Sequence, residues 1–258
     1  MSDSETNTAG TGVRLSIITA TFNASATLQH CIDSVAAQTC SVEHVVVDGG
    51  SNDSTMQIVE ANGEHIARSV SESDDGLYDA MNKGVDLCRG DVIGILNADD
   101  FYADDWVLEK VSQVFQDPSV DACYGDLLYV AEDDIERVTR TWRSGHYSHK
   151  RFLWGWMPPH PTFFVRRKLY DDFGRFNLSL GSAADYELML RFLYKHRASA
   201  HYLPHVLVKM RAGGVSNASW SNRLAANRMD RRAWQVNELS PLPWTTLVKP
   251  ARKVLQWL

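Results

Sequence analysis

An α/β fold, a mixed and mainly parallel sheet flanked by helices, is what this sequence of 258 residues predicts. Three observations carry the expectation. Short β-branched runs alternate with stretches of helical periodicity through the first half of the chain, the pattern of βαβ units. Polar clusters stand where those runs stop: Thr21-Phe22-Asn23, Asp48-Gly49-Gly50 and Asn97-Ala98-Asp99-Asp100. Sheets of this kind bind ligands beyond the carboxyl ends of their strands, so the three clusters converge on one crevice.

Residues 14–20 form the first strand, a β-branched run read as buried. Leu28, Cys31, Ile32, Val35 and Ala36 then fall at helical spacing, with Ser25 ahead of them as N-cap. Residues 43–47 are a second strand, stopped by Asp48-Gly49-Gly50, and Asp53 or Ser54 caps a helix through about Ala61. A further helix carries Tyr78 and Met81. Residues 91–96 make another strand, 106–116 an amphipathic helix and 120–130 an extended segment. After about residue 135 the pattern loosens into an aromatic, basic stretch, residues 142–161; helices are expected over 166–173 and 184–196.

Hydrophobic residues make up 44% of the chain and charged residues 22%, an ordinary globular balance that suits one large domain with appendages. Cys31, Cys40, Cys88 and Cys123 show no C-x-x-C spacing, which argues against a zinc site or a disulfide framework. Residues 1–12 are polar and read as a disordered lead, and no run approaches a membrane-spanning length. The net charge of −6 divides into +7 from residue 209 onward and −13 before it. That tail mixes Lys, Arg, Trp and apolar residues, which suits an anionic membrane surface or equally a terminal helix packed on the body.

Neither G-x-x-x-x-G-K-[ST] nor G-x-G-x-x-G occurs, which excludes a P-loop and a dinucleotide Rossmann site. Without a glycine-rich turn something else must neutralise a pyrophosphate, and a divalent cation held by carboxylates is the substitute. A nucleotidyltransferase shares a similar sheet, but the expected glycine-rich, basic first loop is missing from residues 19–26.

Four blocks in fixed order carry a more specific resemblance. They are residues 17–23 (Ile-Ile-Thr-Ala-Thr-Phe-Asn), 46–55 (Val-Val-Asp-Gly-Gly-Ser-Asn-Asp-Ser-Thr), 71–84 (Ser-Glu-Ser-Asp-Asp-Gly-Leu-Tyr-Asp-Ala-Met-Asn-Lys-Gly) and 94–100 (Gly-Ile-Leu-Asn-Ala-Asp-Asp). Over residues 15–191 the chain resembles the family 2 glycosyltransferases of the GT-A fold. The third block, with Pro158-Pro159-His160-Pro161 and Thr162-Phe163-Phe164, is similar to the bacterial branch that builds exopolysaccharide, O-antigen or glycolipid sugars.

The resemblance implies an inverting transfer of a sugar from a nucleotide-diphosphate donor to an acceptor hydroxyl. It implies a nucleotide-sugar site of Thr21, Phe22, Asn23, Asp48, Asp75, Lys83, Asn97 and Ala98, in which Asp48 meets the base and Phe22 stacks beside it. Asp48 otherwise merely closes a turn, Lys83 is otherwise solvated, and Asp74 and Asp75 otherwise cap the helix of Tyr78. Asp99 takes the family's metal-ligand position for Mg2+ or Mn2+, with His160 as a further ligand. Asp185 becomes the general base, with Glu187 as the alternative and helix capping as a compatible role. Trp156, beside Trp154, offers an aromatic platform to the acceptor sugar.

Asn97 and Ala184 depart from the family's acidic pattern, so a noncatalytic nucleotide-sugar or glycan-binding module is the alternative. The organisation implied is a catalytic domain over 13–208, with donor half 13–130 and acceptor half 131–208, and a basic extension over 209–258. The expected partners are the donor, a lipid-linked or saccharide acceptor and, through the tail, a membrane surface; nucleic acid is not among them. The expected location is cytoplasmic or peripheral on the inner face of the cell membrane.

Overall fold

The computed structural model describes residues 12–212, 220–245 and 248, the side chains of 220–227 excepted. Residues 1–11 of the expected lead, and 246–247 and 249–258 of the expected basic tail, lie outside the described residues. The chain runs β1 (Leu15–Thr21), α1 (Leu28–Ala36), β2 (Val42–Asp48), α2 (Thr55–Ala61), β3 (Arg68–Ser71) and α3 (Leu77–Leu87). It continues through β4 (Val92–Ile95), β5 (Asp100–Tyr102), α4 (Val107–Val114), β6 (Ala122–Val130), β7 (Val138–Trp142), β8 (Phe164–Arg166) and α5 (Arg167–Phe173). The last elements are α6 (Ala184–Met189), extended by a π-helical turn over Leu190–Lys195, then β9 (Ala200–Arg211) and α7 (Trp220–Val236).

Among the described residues one nine-stranded sheet has the order β3-β2-β1-β4-β8-β6-β9-β5, with β7 paired to β6. The β3-β2-β1-β4 half is parallel, and β8 enters it antiparallel to both β4 and β6. β1 is buried at every position because helices cover both faces. Leu15 and Ile17 join Val35 of α1 and Val107, Leu108 and Val111 of α4 on one face. Ile18 and Ala20 join Ala80, Met81 and Val85 of α3 and Leu188 of α6 on the other. This alternation, period two in the strand against a continuous apolar run, is why the run is legible in the sequence.

Five strands, β3, β5, β7, β8 and β9, lack that signal. β3 alternates half-buried with exposed residues, while β5 and β8 have three residues each. β9 is long but contains Pro204, and its pairing with β6 shifts register between Tyr124 and Asp126, where the proline interrupts the ladder. β9 also runs through the expected boundary at residue 208. Ala233 and Trp234 of α7 are buried in the main core, with the Trp234 indole donating to the Tyr186 hydroxyl at 2.9 Å. The beginning of the extension is therefore part of the body. α1 starts after Thr27 and not Ser25; the Ser25 amide instead donates to Asp53, 3.2 Å away. No helix among the described residues is long and apolar enough to cross a membrane.

His44 of β2 is fully enclosed, with Nε2 3.0 Å from the Thr19 hydroxyl. Desolvation lowers this imidazole to about 4, against an ordinary value near 6.5. On acidification the unfolded chain takes up the proton first, so the stability held by neutral His44 is complete above pH 6.5 and is lost as pH falls toward 4. Between pH 7 and pH 4 the unfolding free energy in urea should fall about 3 kcal/mol further for the wild type than for His44→Gln. Parallel pH curves would show that His44 does not carry this linkage.

Candidate active site

Register brings the strand ends together. Thr21 lies opposite Asp48 and Ile18 opposite Ile95, so β1, β2 and β4 all open toward the same edge. Three buried polar atoms there have no partner among the described residues, Thr21 Oγ1, Asn97 Oδ1 and Asp100 Oδ1. The Phe22 ring is 63% exposed at this rim. Asn23, at φ 49°, braces the rim: its amide donates to Ser51 Oγ at 2.7 Å and its side-chain oxygen accepts from the Asn52 amide at 2.9 Å.

Asp48 is not exposed to a ligand, contrary to expectation; it is completely buried. Its carboxylate accepts from the amides of Gly50 (3.1 Å) and Ser51 (2.9 Å), from Ser71 Oγ (2.7 Å) and from Ser51 Oγ. Three of the four bonds fall on Oδ2 and one on Oδ1. Asp48 therefore closes its turn and ties it to β3, and its remaining acceptor capacity lies on Oδ1. Lys83 is likewise committed. Its ammonium donates to the Ser73 carbonyl at 3.0 Å and pairs with Glu72 at 2.8 Å and Asp79 at 3.5 Å, and hydrogen bonding to Glu72 raises its pKa. It fastens the loop before α3 and does not stand free for phosphate.

That loop presents Asp75 to solvent. Asp74 closes a turn just ahead of α3, accepting from the Gly76 amide at 2.8 Å, while the helix start itself has no side-chain cap. The Asp74 carboxylate lies close to Gly49, where a Cβ would sit 2.5 Å from Oδ2, so a larger residue there would displace the Asp74 side chain.

The turn after β4 is closed twice. The Asp100 amide donates to the Asn97 carbonyl at 3.0 Å, and Asn97 Nδ2 donates to the Asp100 carboxylate at 3.0 Å. Ala98 is buried among Leu28, Ile32 and Val46, so its side chain serves packing and not the donor. Asp100 is fully buried, and burial with the neighbouring Asp99 charge holds its carboxyl well above the usual range. Asp99 is only half-buried.

His160 stands across from this turn, held by Pro159 and Pro161 in a single 3-10 turn. Its Nε2 is 3.4 Å from Asn97 Nδ2 and its Nδ1 is 3.5 Å from Asp185 Oδ2. Desolvation lowers its pKa against the opposing charges of Asp185 and Asp99, which favours a neutral ring that retains a lone pair. Asp185 sits in the first turn of α6, accepting from the Tyr186 amide at 2.7 Å. The Tyr78 hydroxyl adjoins it, and burial with that negative charge drives the phenol pKa up. Tyr78 is a site residue that the sequence suggested only as part of a helix.

Asp99, His160 and the unpartnered Asn97 oxygen are donors of the types a divalent cation takes. Among the described residues no three His, Cys, Asp or Glu side chains converge. Donor phosphates and water would complete the shell, the usual arrangement for Mg2+. Glu187, the alternative base, is excluded by its partners. It is buried, accepts from Arg191 Nε at 2.9 Å and Nη2 at 3.0 Å, and from Asn237 at 2.9 Å.

The expected acceptor platform is also corrected. Trp156 is buried, its indole donating to the Ser144 carbonyl at 2.9 Å between Tyr124 and Phe152. Trp154 is 51% exposed and lies 5.8 Å from the ring of Trp244. Gly155 between them adopts φ 68°, and this left-handed turn separates the two indoles.

Residues 16–174 match the model of a family described as Glycosyl transferase family 2. A Mycobacterium bovis protein described as a PGL/p-HBAD biosynthesis glycosyltransferase is 34% identical over 209 residues, covering 78% of each chain. Among solved structures, S. aureus TarS 1–349 in complex with UDP superposes with a TM-score of 0.66 at 18% identity, over 88% of this chain and 67% of that one. A Pyrobaculum calidifontis mannosyltransferase in complex with GDP-Man and Mn2+ gives 0.65 at 18% identity, over 95% and 70%. At such identities the two structures speak to the fold, which is that of the GT-A transferases.

Removing Glu187 leaves the Arg191 guanidinium in a site only 12% exposed with no countercharge. Glu187→Ala should therefore lower the unfolding free energy by about 3–5 kcal/mol in urea titration. Asp185→Asn, which removes no buried ion pair of this kind, should cost under about 1 kcal/mol.

Proposed function

The chain belongs to Glycosyl transferase family 2 and is a glycosyltransferase; we propose that it inverts the anomeric centre of a nucleoside-diphosphate sugar using Asp185 as the general base. One observation carries this reading: the His160 imidazole spans from Asn97 of the β4 turn, at 3.4 Å, to the Asp185 carboxylate, at 3.5 Å. A single ring thus adjoins both the turn suited to a diphosphate-bound cation and a carboxylate with acceptor capacity.

In the reaction proposed, Asp185 accepts the proton of the acceptor hydroxyl as its oxygen bonds to the anomeric carbon. The bond from that carbon to the diphosphate breaks with its electron pair leaving on the phosphate oxygen. Attack on the face opposite the leaving group inverts the configuration. Asp99 and His160 would hold Mg2+ or Mn2+, which when bound supplies positive charge for the leaving diphosphate. The Asn97 amide oxygen substitutes for a carboxylate without adding charge, so the cation sees one anionic side chain of this turn. Phe22 is exposed where a base can stack, and Thr21 has an unpartnered hydroxyl beside it. UDP and GDP-Man in the two similar structures support a nucleoside-diphosphate donor.

The acceptor is proposed to be a lipid-linked or saccharide hydroxyl at a bacterial membrane face, in glycolipid or polysaccharide synthesis. The exposed Trp154 and Trp244 rings support the membrane part, because indoles favour bilayer interfaces. Thr245 Oγ1, donating to the Leu153 carbonyl at 2.7 Å, fixes the chain between them and the Lys249, Arg252 and Lys253 of the sequence beyond.

Incubated with UDP- and GDP-sugars and Mn2+, the protein should release free nucleoside diphosphate, and chelator should stop it. Asp185→Asn should reduce transfer by about 10²- to 10⁴-fold while leaving the binding of UDP or GDP unchanged. Undiminished turnover would remove Asp185 from the base role. Truncation before Leu242 should shift the protein from anionic liposomes to the supernatant; unchanged sedimentation would reject the membrane reading.

A further inference from the structure

Arg211 ends β9 beside the turn that carries Asp99. The β5–β9 ladder sets it there, with Asp100 opposite Met210 and Phe101 opposite Lys209. Its guanidinium is fixed from three directions. Nη1 donates to the Asp99 carbonyl at 2.6 Å, and Nη2 donates to His30 Nδ1 at 2.7 Å. The guanidinium carbon lies 5.0 Å from the centre of the Phe101 ring, on which His30 also stacks at 4.1 Å. A planar fork meets an acceptor on each arm with an aromatic ring alongside, an arrangement that a lysine cannot reproduce.

The position gives these contacts their consequence. Asn97 has no charge and Asp100 is buried against Asn97, so Asp99 is the carboxylate of this turn left to face a cation. Where that carboxylate can reach depends on how the peptide plane at Asp99 is set. Arg211 grips the plane through the carbonyl oxygen and brings a positive charge to a turn with two adjacent aspartates. His30 belongs to α1 and Arg211 to β9, so the grip also joins two elements far apart in sequence.

We infer that Arg211 is a positioning residue for the cation-binding turn, aiming the Asp99 carboxylate by holding its backbone carbonyl while braced on His30 and Phe101. The inference rests on the reading of Asp99 as a cation ligand. It assigns Arg211 no contact with donor, acceptor or cation.

Mn2+ binding to the full-length protein, followed by electron paramagnetic resonance with UDP and separately with GDP present, tests it without turnover. Arg211→Met should weaken Mn2+ binding by about 10- to 100-fold, the range for a partner that orients a metal ligand, with its far-ultraviolet circular dichroism unchanged. Arg211→Lys, which keeps the charge and one hydrogen bond, should fall between the two. Asp99→Asn is the control. If Asp99→Asn loses Mn2+ while folded Arg211→Met binds it like the wild type, the positioning role is wrong and the cation reading stands. If Asp99→Asn binds Mn2+ normally, the cation reading fails and this inference with it. Should Arg211→Met not fold, wild-type Mn2+ affinity in Arg211→Lys overturns the proposal, and weakened affinity in that folded variant supports it.

Discussion

The register of three parallel strands is the constraint on which the rest depends. β1 pairs with β2 so that Thr21 meets Asp48, and with β4 so that Ile18 meets Ile95. Because side chains alternate along a strand, a slip of one residue would turn Ile18 and Ala20 away from α3 and exchange them with Leu15 and Ile17, undoing the packing on both faces. Burial on both faces forbids that slip. With the register held, the turns after the three strands must open at one edge, and the polar residues in them become neighbours without any contact being needed to gather them.

Within that edge the carboxylates divide by what already surrounds them. Asp48 accepts four hydrogen bonds from its own turn and from Ser71, and Glu187 accepts three from Arg191 and Asn237. Such groups are heavily engaged, and they hold loops and helices in place. Asp100 is enclosed and kept above the usual carboxylate range by burial and by Asp99. Asp185 accepts from the adjacent Tyr186 amide, hydrogen-bonds with the Tyr78 hydroxyl and faces His160 Nδ1 at 3.5 Å. Under the proposed function the chemistry falls to the carboxylates that face the site, while the enclosed ones make their positions reproducible.

Legibility in the sequence followed the same line between local and distant causes. The early strands and helices were visible because an apolar run or a 3.6-residue period states burial directly. β3, β5, β7 and β8 are short or half-exposed, and β9 is broken by Pro204, so their hydrogen bonding depends on partners that no local pattern names. At the site, the candidates Asp99, His160 and Asp185 were visible as residue types at characteristic places in ordered motifs. The engagement of Asp48 by Gly50, Ser51 and Ser71, and of Lys83 by Glu72, Ser73 and Asp79, was not legible in the sequence because each set depends on how its turn is folded. Trp154 and Trp156 exchanged environments because one left-handed glycine separates them.

By itself the sequence determined the alternation of strands and helices, the clustering of polar residues at strand ends, and the membership of the chain in its family, since each is encoded in contiguous residues. The tertiary structure alone decided which carboxylates are occupied and which are available. It alone brought His160 between residues 97 and 185, and set Arg211 against the carbonyl of Asp99 across 112 positions of sequence. The physical reason is that hydrogen-bond capacity is finite. Whether a group retains any depends on which distant donors the sheet and its covering helices deliver to it.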